Sequence, residues 1–196
     1  MIRRVTSNRA LGVLAWVVRA ATVAMLVFAA THTDWDRFAG KAFGGRAIGY
    51  PLALLVLPAA WALRGRRRPY PALADLLICL PFAVDVGGNV ADAYDRISWF
   101  DDACHFGNWA MLLAALAVSL PRTLPYAAQL GLVVGLGSTT ALGWEVMEYY
   151  TFIRGGTELD TAYTDTLGDM ALGTLGAGVG GLVVLAIRRP VREPRA

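Results

Sequence analysis

Six apolar runs, each near the length of a bilayer-crossing helix, dominate this 196-residue chain. They lie at about 11–30, 47–63, 71–92, 102–120, 126–149 and 165–187. A helix rising about 1.5 Å per residue needs about 20 residues to cross the hydrocarbon core. The runs come close to that length, the second being short. Lipid offers the backbone no hydrogen bonds, so each run must satisfy its own N–H and C=O groups, and a helix does so. With 56% hydrophobic and only 17% charged residues, the chain is too apolar for an ordinary soluble domain. The expected fold is an all-α, polytopic integral membrane protein. It has six transmembrane helices in one bundle and a single domain over 1–196, with a short Arg-rich tail at 188–196. Pro81 falls inside the third run, where its missing N–H predicts a kink. The first run is long for a cleaved signal peptide and five more follow, so it reads as an anchor.

Basic residues orient the bundle. Arg3, Arg4, Arg9, Arg64, Arg66, Arg67, Arg68, Arg122, Arg188, Arg189, Arg192 and Arg195 fall on one side, and Arg37, Lys41, Arg46, Arg96 and Arg154 on the other. The positive-inside rule places the richer side, with both termini, in the cytoplasm. Tyr50, Tyr94, Trp99, Tyr149, Tyr150 and Phe152 then mark the outer boundary, and Trp61, Tyr70 and Tyr126 the inner one. Aromatic and basic residues do not interleave as they do in RNA binders, so no nucleic-acid partner is expected. Cys79 and Cys104 form no disulfide framework. Two small-residue patterns, Gly131–Gly135 and Gly176–Gly180, suit close helix packing within the bundle rather than a dimer.

The 15 acids divide unequally. Only Asp75 and Glu193 map to the cytoplasmic half. Solvated loops account for Asp34, Asp36, Asp95, Glu158 and Asp160, but the rest recur at helical spacing inside the runs. The third run carries Asp85, Asn89 and Asp92 on one face. The fourth opens with Ser98-Trp-Phe-Asp-Asp-Ala-Cys-His-Phe-Gly-Asn108, placing Asp101 and Asp102 within a turn of His105. The fifth ends with Glu145 and Glu148, and the sixth begins with Asp165 and Asp169. Most lie within roughly 10 Å of the outer boundary at about 1.5 Å per residue, and so share a depth. Helix dipoles offset under about 1 kcal/mol per acid, too little for six carboxylates in a partly dry site. A divalent cation, raised pKa values or water must compensate.

The residue types favour a metal. Asp102-x-x-His105 and Glu145-x-x-Glu148 each put two ligands on one helix face, as helical bundles do at their metal sites. An oxygen-rich set with one imidazole suits Zn, Mn or Fe, with Mg also possible. The expected ligands are Asp102, His105, Glu145, Glu148, Asp165 and Asp169, with His105 and Glu145 also as catalytic groups. Asp85, Asn89 and Asp101 form a supporting polar face, Asp101 reading as the N-cap of the fourth helix. Cys104 points about 100° from His105 on the helix and reads as a non-ligand. Taken singly, an acid at a helix end is a cap or a solvated rim; the joint occurrence on four helices is what outweighs that reading. Arg19, midway along the first run, pairs with Asp75 or Asp85 or snorkels. His32 reads as a solvated loop residue.

Asp85-x-x-x-Asn89, Phe100-Asp-Asp-Ala-Cys-His-Phe106, Trp144-Glu-Val-Met-Glu-Tyr-Tyr150 and Asp165-Thr-Leu-Gly-Asp-Met170, in that order, resemble the YjdF-like bacterial inner-membrane proteins. The resemblance covers roughly 71–181. It implies a multi-pass protein of the bacterial cytoplasmic membrane and supplies no substrate. A fainter similarity to VanZ-like envelope proteins rests on Asp101, Asp102, His105 and Phe106 with Glu145 or Glu148; the spacing departs elsewhere, and no resistance role is carried over.

Three functions fit. The first is a metal-dependent membrane hydrolase acting on lipid head groups or lipid-linked envelope precursors, its metal-bound water attacking and a free carboxylate or His105 moving protons. The second is a proton or divalent-cation transporter, against which the near absence of acids in the cytoplasmic half counts. The third is a scaffold holding a structural cation. There is no P-loop, dinucleotide-binding glycine run or His-Glu-x-x-His, and Ser98 lacks a nucleophile-elbow context.

Overall fold

The computed structural model describes residues 8–151 and 153–188. Arg3, Arg4, Phe152 and the tail beyond Arg188, with Glu193, lie outside them, as does the side chain of Glu158. The chain forms α1 (Arg9–Ala30), α2 (Phe43–Leu63), α3 (Ala72–Val90), a short α4 (Ala93–Arg96), α5 (Phe100–Ser119), α6 (Tyr126–Thr151) and α7 (Ala162–Ile187). Two 3-10 turns, Ile153–Gly155 and Thr157–Asp160, join α6 to α7. Among the described residues there is no strand.

The six long helices fall on the six apolar runs. Five of them, α1, α2, α3, α6 and α7, are long and apolar enough to cross a membrane. The exception, α5, has the length at 20 residues. Its first half, with Asp101, Asp102, His105 and Asn108, lowers its hydropathy.

α1 starts where the Asn8 side chain accepts a hydrogen bond from the Ala10 N–H at 2.8 Å, capping an otherwise orphaned donor. Its buried face is Ala15, Arg19, Thr22, Leu26 and Ala29, steps of three and four that make one stripe. That stripe packs on α3, which packs on α5. The most extensive helix pair is α5 with α7, and α6 packs on α7. Gly176 and Gly180 explain the α5–α7 contact: a Cβ at either would strike the carbonyl oxygen of Phe106 or Ala110 on α5. Gly137 and Gly181 admit Ala177 and Val133 in the same way between α6 and α7. Gly131 and Gly135 differ, with open space where a Cβ would stand. So of the two small-residue patterns only the second is used inside the bundle.

Arg19 is buried and joins three helices. Its Nη2 donates to Asp75 Oδ1 at 2.7 Å on α3, and Nε and Nη2 both donate to the Leu54 carbonyl on α2, at 3.1 and 2.9 Å. That carbonyl is available because Pro58, four residues on, has no N–H to give it. The partner is therefore Asp75 rather than Asp85.

Four local expectations differ. α2 begins four residues before the apolar run, taking in Arg46, because a carboxylate on α3 neutralises that charge. Asp101 does not cap α5: the helix begins at Phe100, with Trp99 as an N-cap that makes no side-chain bond, and Asp101 sits in its first turn. Asp92 leaves the face of Asp85 and Asn89, because α3 ends at Val90 and Asp92 takes a left-handed backbone, φ 59°. His32 is not simply solvated either; its ring packs on Phe28 and Trp35 with centroids 4.5 and 4.8 Å apart. Cys79 and Cys104 are buried free thiols.

Candidate functional site

At the end of the bundle where α3 and α6 finish and α5 and α7 start, a cavity of about 470 Å³ opens. α2 lines it with Arg46 and Tyr50, α3 with Phe82, Asp85 and Asn89, and α5 with Asp101, Cys104, His105, Asn108 and Trp109. α6 contributes Trp144 and Glu148, and α7 Asp165 and Asp169. Of the acids expected to share a depth, Asp85, Asp101, Glu148, Asp165 and Asp169 line this one space, and Asp92, Asp102 and Glu145 are not in its lining. Its floor is apolar, with Pro81, Phe82, Leu112 and Trp144.

One wall is a hydrogen-bonded hub around Asp85. Arg46 Nη1 donates to both carboxylate oxygens, at 3.0 and 2.9 Å. The Tyr50 hydroxyl donates to Oδ2 at 2.6 Å and the Tyr94 hydroxyl to Oδ1 at 3.1 Å. The Asn89 amide donates to the Asp85 backbone carbonyl at 3.0 Å. Burial, with the Asp85 carboxylate beside it, holds the Tyr94 phenol well above its usual range, so it stays a donor. Tyr94 reaches this position because Gly88 leaves room for its ring against Phe100: a Cβ there would meet both rings. With its oxygens engaged, Asp85 has the partners of a structural anchor. Sequence reasoning missed Arg46, Tyr50 and Tyr94. The available signal was the spacing of Arg46 and Tyr50, four apart on one helix face.

The facing wall centres on His105, 8% exposed. Its Nε2 lies 3.6 Å from Asp101 Oδ1, one turn earlier on α5, and 3.8 Å from Asp169 Oδ1 on α7. Its Nδ1 lies 3.5 Å from Oε1 of Glu145, on α6 and 3% exposed. Two sets of side chains each bring three ligand atoms within 4.8 Å of one another: Asp101, His105 and Asp169, and His105, Glu145 and Glu148. Asp165 lines the cavity but belongs to neither set. Asp102 is exposed and absent from both. The expected Asp102–His105 pair is replaced by Asp101–His105, because the face of α5 turned to the cavity carries Asp101, Cys104, His105 and Asn108, and Asp102 lies about 100° round from Asp101.

These separations are chemically informative. Ordinary hydrogen bonds run about 2.7–3.2 Å between heavy atoms. Gaps of 3.5, 3.6 and 3.8 Å exceed that. They lie near the edge of a coordination tetrahedron, roughly 3.4 Å for bonds of about 2.1 Å. His105 Nδ1 and Glu145 Oε1 are buried with no hydrogen-bond partner, as is Asn108 Oδ1. A buried polar atom without a partner costs about 1–3 kcal/mol, so these atoms have unused bonding capacity inside the bundle. The lining cations are already engaged elsewhere: Arg46 with Asp85, and Lys41 with Asp95 at 2.8 Å.

No curated protein and no solved structure matches the chain. A family model described as "Predicted membrane protein (DUF2238)" matches residues 13–190, spanning every long helix from within α1 onward. The chain belongs to this family of membrane proteins, in keeping with the membrane family its motifs resemble.

Proposed function

We propose that this protein is a metal-dependent hydrolase of the bacterial inner membrane. Its six long helices all span the bilayer, both termini are cytoplasmic, and the cavity opens toward the outer leaflet. A divalent ion (Zn, Mn, Fe or Mg) sits against His105, held by carboxylates from α5, α6 and α7. It acts on a lipid head group or a lipid-linked envelope precursor. The observation that carries the reading is the pair of buried, unpartnered atoms His105 Nδ1 and Glu145 Oε1, 3.5 Å apart, in a space lined by acids from three helices. A divalent ion held there would supply a water of lowered pKa as nucleophile. Asp165, at the cavity wall and in neither ligand set, would accept its proton. The acidic upper wall and apolar floor suit an amphiphile with its head group at His105.

Transport fits less well. Below the cavity lies the packed cluster Leu113, Ala117, Val133 and Ala177, and Asp75, an acid of the far half, is bound to Arg19. Elemental analysis of purified protein against His105→Ala tests the proposal. Stoichiometric metal in the wild type, lost in the variant, is the expected result. Wild type without metal after growth in Zn- and Mn-replete medium, and unchanged in melting temperature with chelator, sinks it.

A further inference from the structure

We propose that His105 bridges two divalent cations, one on each ring nitrogen; this rests on the metal reading above. A histidine serving a single ion binds it through one nitrogen and donates a hydrogen bond from the other, commonly to a carboxylate. That arrangement needs a short contact, about 2.7–3.2 Å, on the donating side. Neither side of His105 shows one. Nε2 stands 3.6 and 3.8 Å from Asp101 and Asp169, and Nδ1 stands 3.5 Å from Glu145. Each nitrogen has acidic neighbours of its own, Asp101 and Asp169 at Nε2 and Glu145 at Nδ1, and His105 clusters within 4.8 Å with Asp101 and Asp169 and, as a second set, with Glu145 and Glu148. On the Nδ1 side the nitrogen and Glu145 Oε1 belong to residues more than nine-tenths buried and neither atom has a hydrogen-bond partner, so a ring proton there has no acceptor at ordinary hydrogen-bond length, the carboxylate standing 3.5 Å away. A cation in its place satisfies both atoms.

Charge argues the same way. Asp101, Glu145, Glu148, Asp165 and Asp169 surround one imidazole. One divalent ion offsets fewer than half of those charges, and a second offsets most of the remainder. Binding the second ion displaces the remaining ring N–H proton to solvent, leaving an imidazolate between the ions. The first position comprises Asp101, His105 Nε2 and Asp169; the second comprises Glu145, Glu148 and His105 Nδ1. The α5–α7 contact sets the first and the α5–α6 approach the second, so different pairs of helices build them.

The test is Mn²⁺ titration of the full-length, chelator-stripped protein in detergent, with bound metal counted by elemental analysis and the paramagnetic resonance signal followed. Two ions per chain at saturation are expected, with spin coupling that broadens the isolated-ion signal. Glu145→Gln combined with Glu148→Gln should leave one ion and restore the uncoupled signal, and Asp101→Asn with Asp169→Asn should do likewise. His105→Ala should lose both. One ion per chain in saturated wild type overturns the bridge and leaves the single-metal reading standing. Two ions that survive His105→Ala also overturn it. No Mn²⁺ bound at saturation removes both proposals. Wild-type stoichiometry decides the matter even if a variant fails to fold.

Discussion

Asp85 accepts six side-chain hydrogen-bonding contacts at its carboxylate and backbone carbonyl, from Arg46, Tyr50, Asn89 and Tyr94. Its ion pair with Arg46 is nearly buried, at 12% and 14% side-chain exposure. Removing one partner of such a pair strands the other charge, at about 3–5 kcal/mol. Asp85→Asn should therefore lower stability by about 3 kcal/mol, read as a drop in midpoint on chemical unfolding in detergent micelles. Asp85→Asn combined with Arg46→Met should recover part of that loss, since no lone charge is left behind. An unchanged midpoint in Asp85→Asn would mean that the hub carries little of the α2–α3 attachment. That Asp85 and Asn89 share a face was legible from their spacing of four. The identity of the cation was not, because a hydropathy reading stops the second run at Arg46 and treats it as loop. Only the tertiary approach of α2 to α3 makes a charge inside a helix tolerable. The same holds for Asp101 and Asp102: both are within a turn of His105, and which one faces the cavity depends on how α5 is rotated against α7.

At the scale of helices, glycine decides how closely elements approach. Gly176 and Gly180 have carbonyl oxygens of α5 where a side chain would begin, while Gly131 and Gly135 on α6 have none. Backbone cannot retreat as a flexible side chain can, so overpacking there costs at least the about 1–3 kcal/mol typical of cores. Gly176→Leu should lower the melting temperature sharply and pull Asp169 away from His105, weakening metal binding with it. Gly131→Leu should leave both near the wild-type values. Thermal unfolding of the two variants side by side, with and without added Mn²⁺, checks the pair. Equal destabilisation would mean that α6 is also closely packed against something at Gly131. In sequence the two patterns look alike, each a pair of glycines four apart in an apolar helix. What separates them is which face of the helix the neighbour covers, and periodicity alone does not carry that. Helix positions were more legible: run length and the internal hydrogen-bond requirement fix them, with shifts where a charge or a missing cap moves an end.

At the scale of the whole molecule, everything proposed about substrate depends on which side the cavity faces and on α5 crossing. In the proposed orientation, argued from the arginine count, the α4–α5 turn is outside and the α2–α3 and α5–α6 loops are inside. α5 is the helix whose polar first half weakens its own claim to insertion, yet it lies against α3 and α7. There Asp101 and His105 face the cavity, where they are least costly, and the exposed Asp102 sits in the helix's first turn. Single cysteines at exposed positions settle this: Ser98→Cys before α5, Arg122→Cys after it and Arg67→Cys between α2 and α3. The native Cys79 and Cys104 are buried, so little background labelling is expected from a membrane-impermeant maleimide. In intact spheroplasts Ser98→Cys should label, while Arg122→Cys and Arg67→Cys should label only after permeabilisation. Labelling of Ser98→Cys and Arg122→Cys together, with Arg67→Cys protected, would make α5 re-entrant and leave five spans. Labelling of Arg67→Cys and Arg122→Cys without Ser98→Cys would turn the cavity to the cytoplasm. An outer-leaflet substrate would then be excluded, while the metal chemistry at His105 would be untouched, since it depends on the bundle's internal geometry and not on its direction in the membrane.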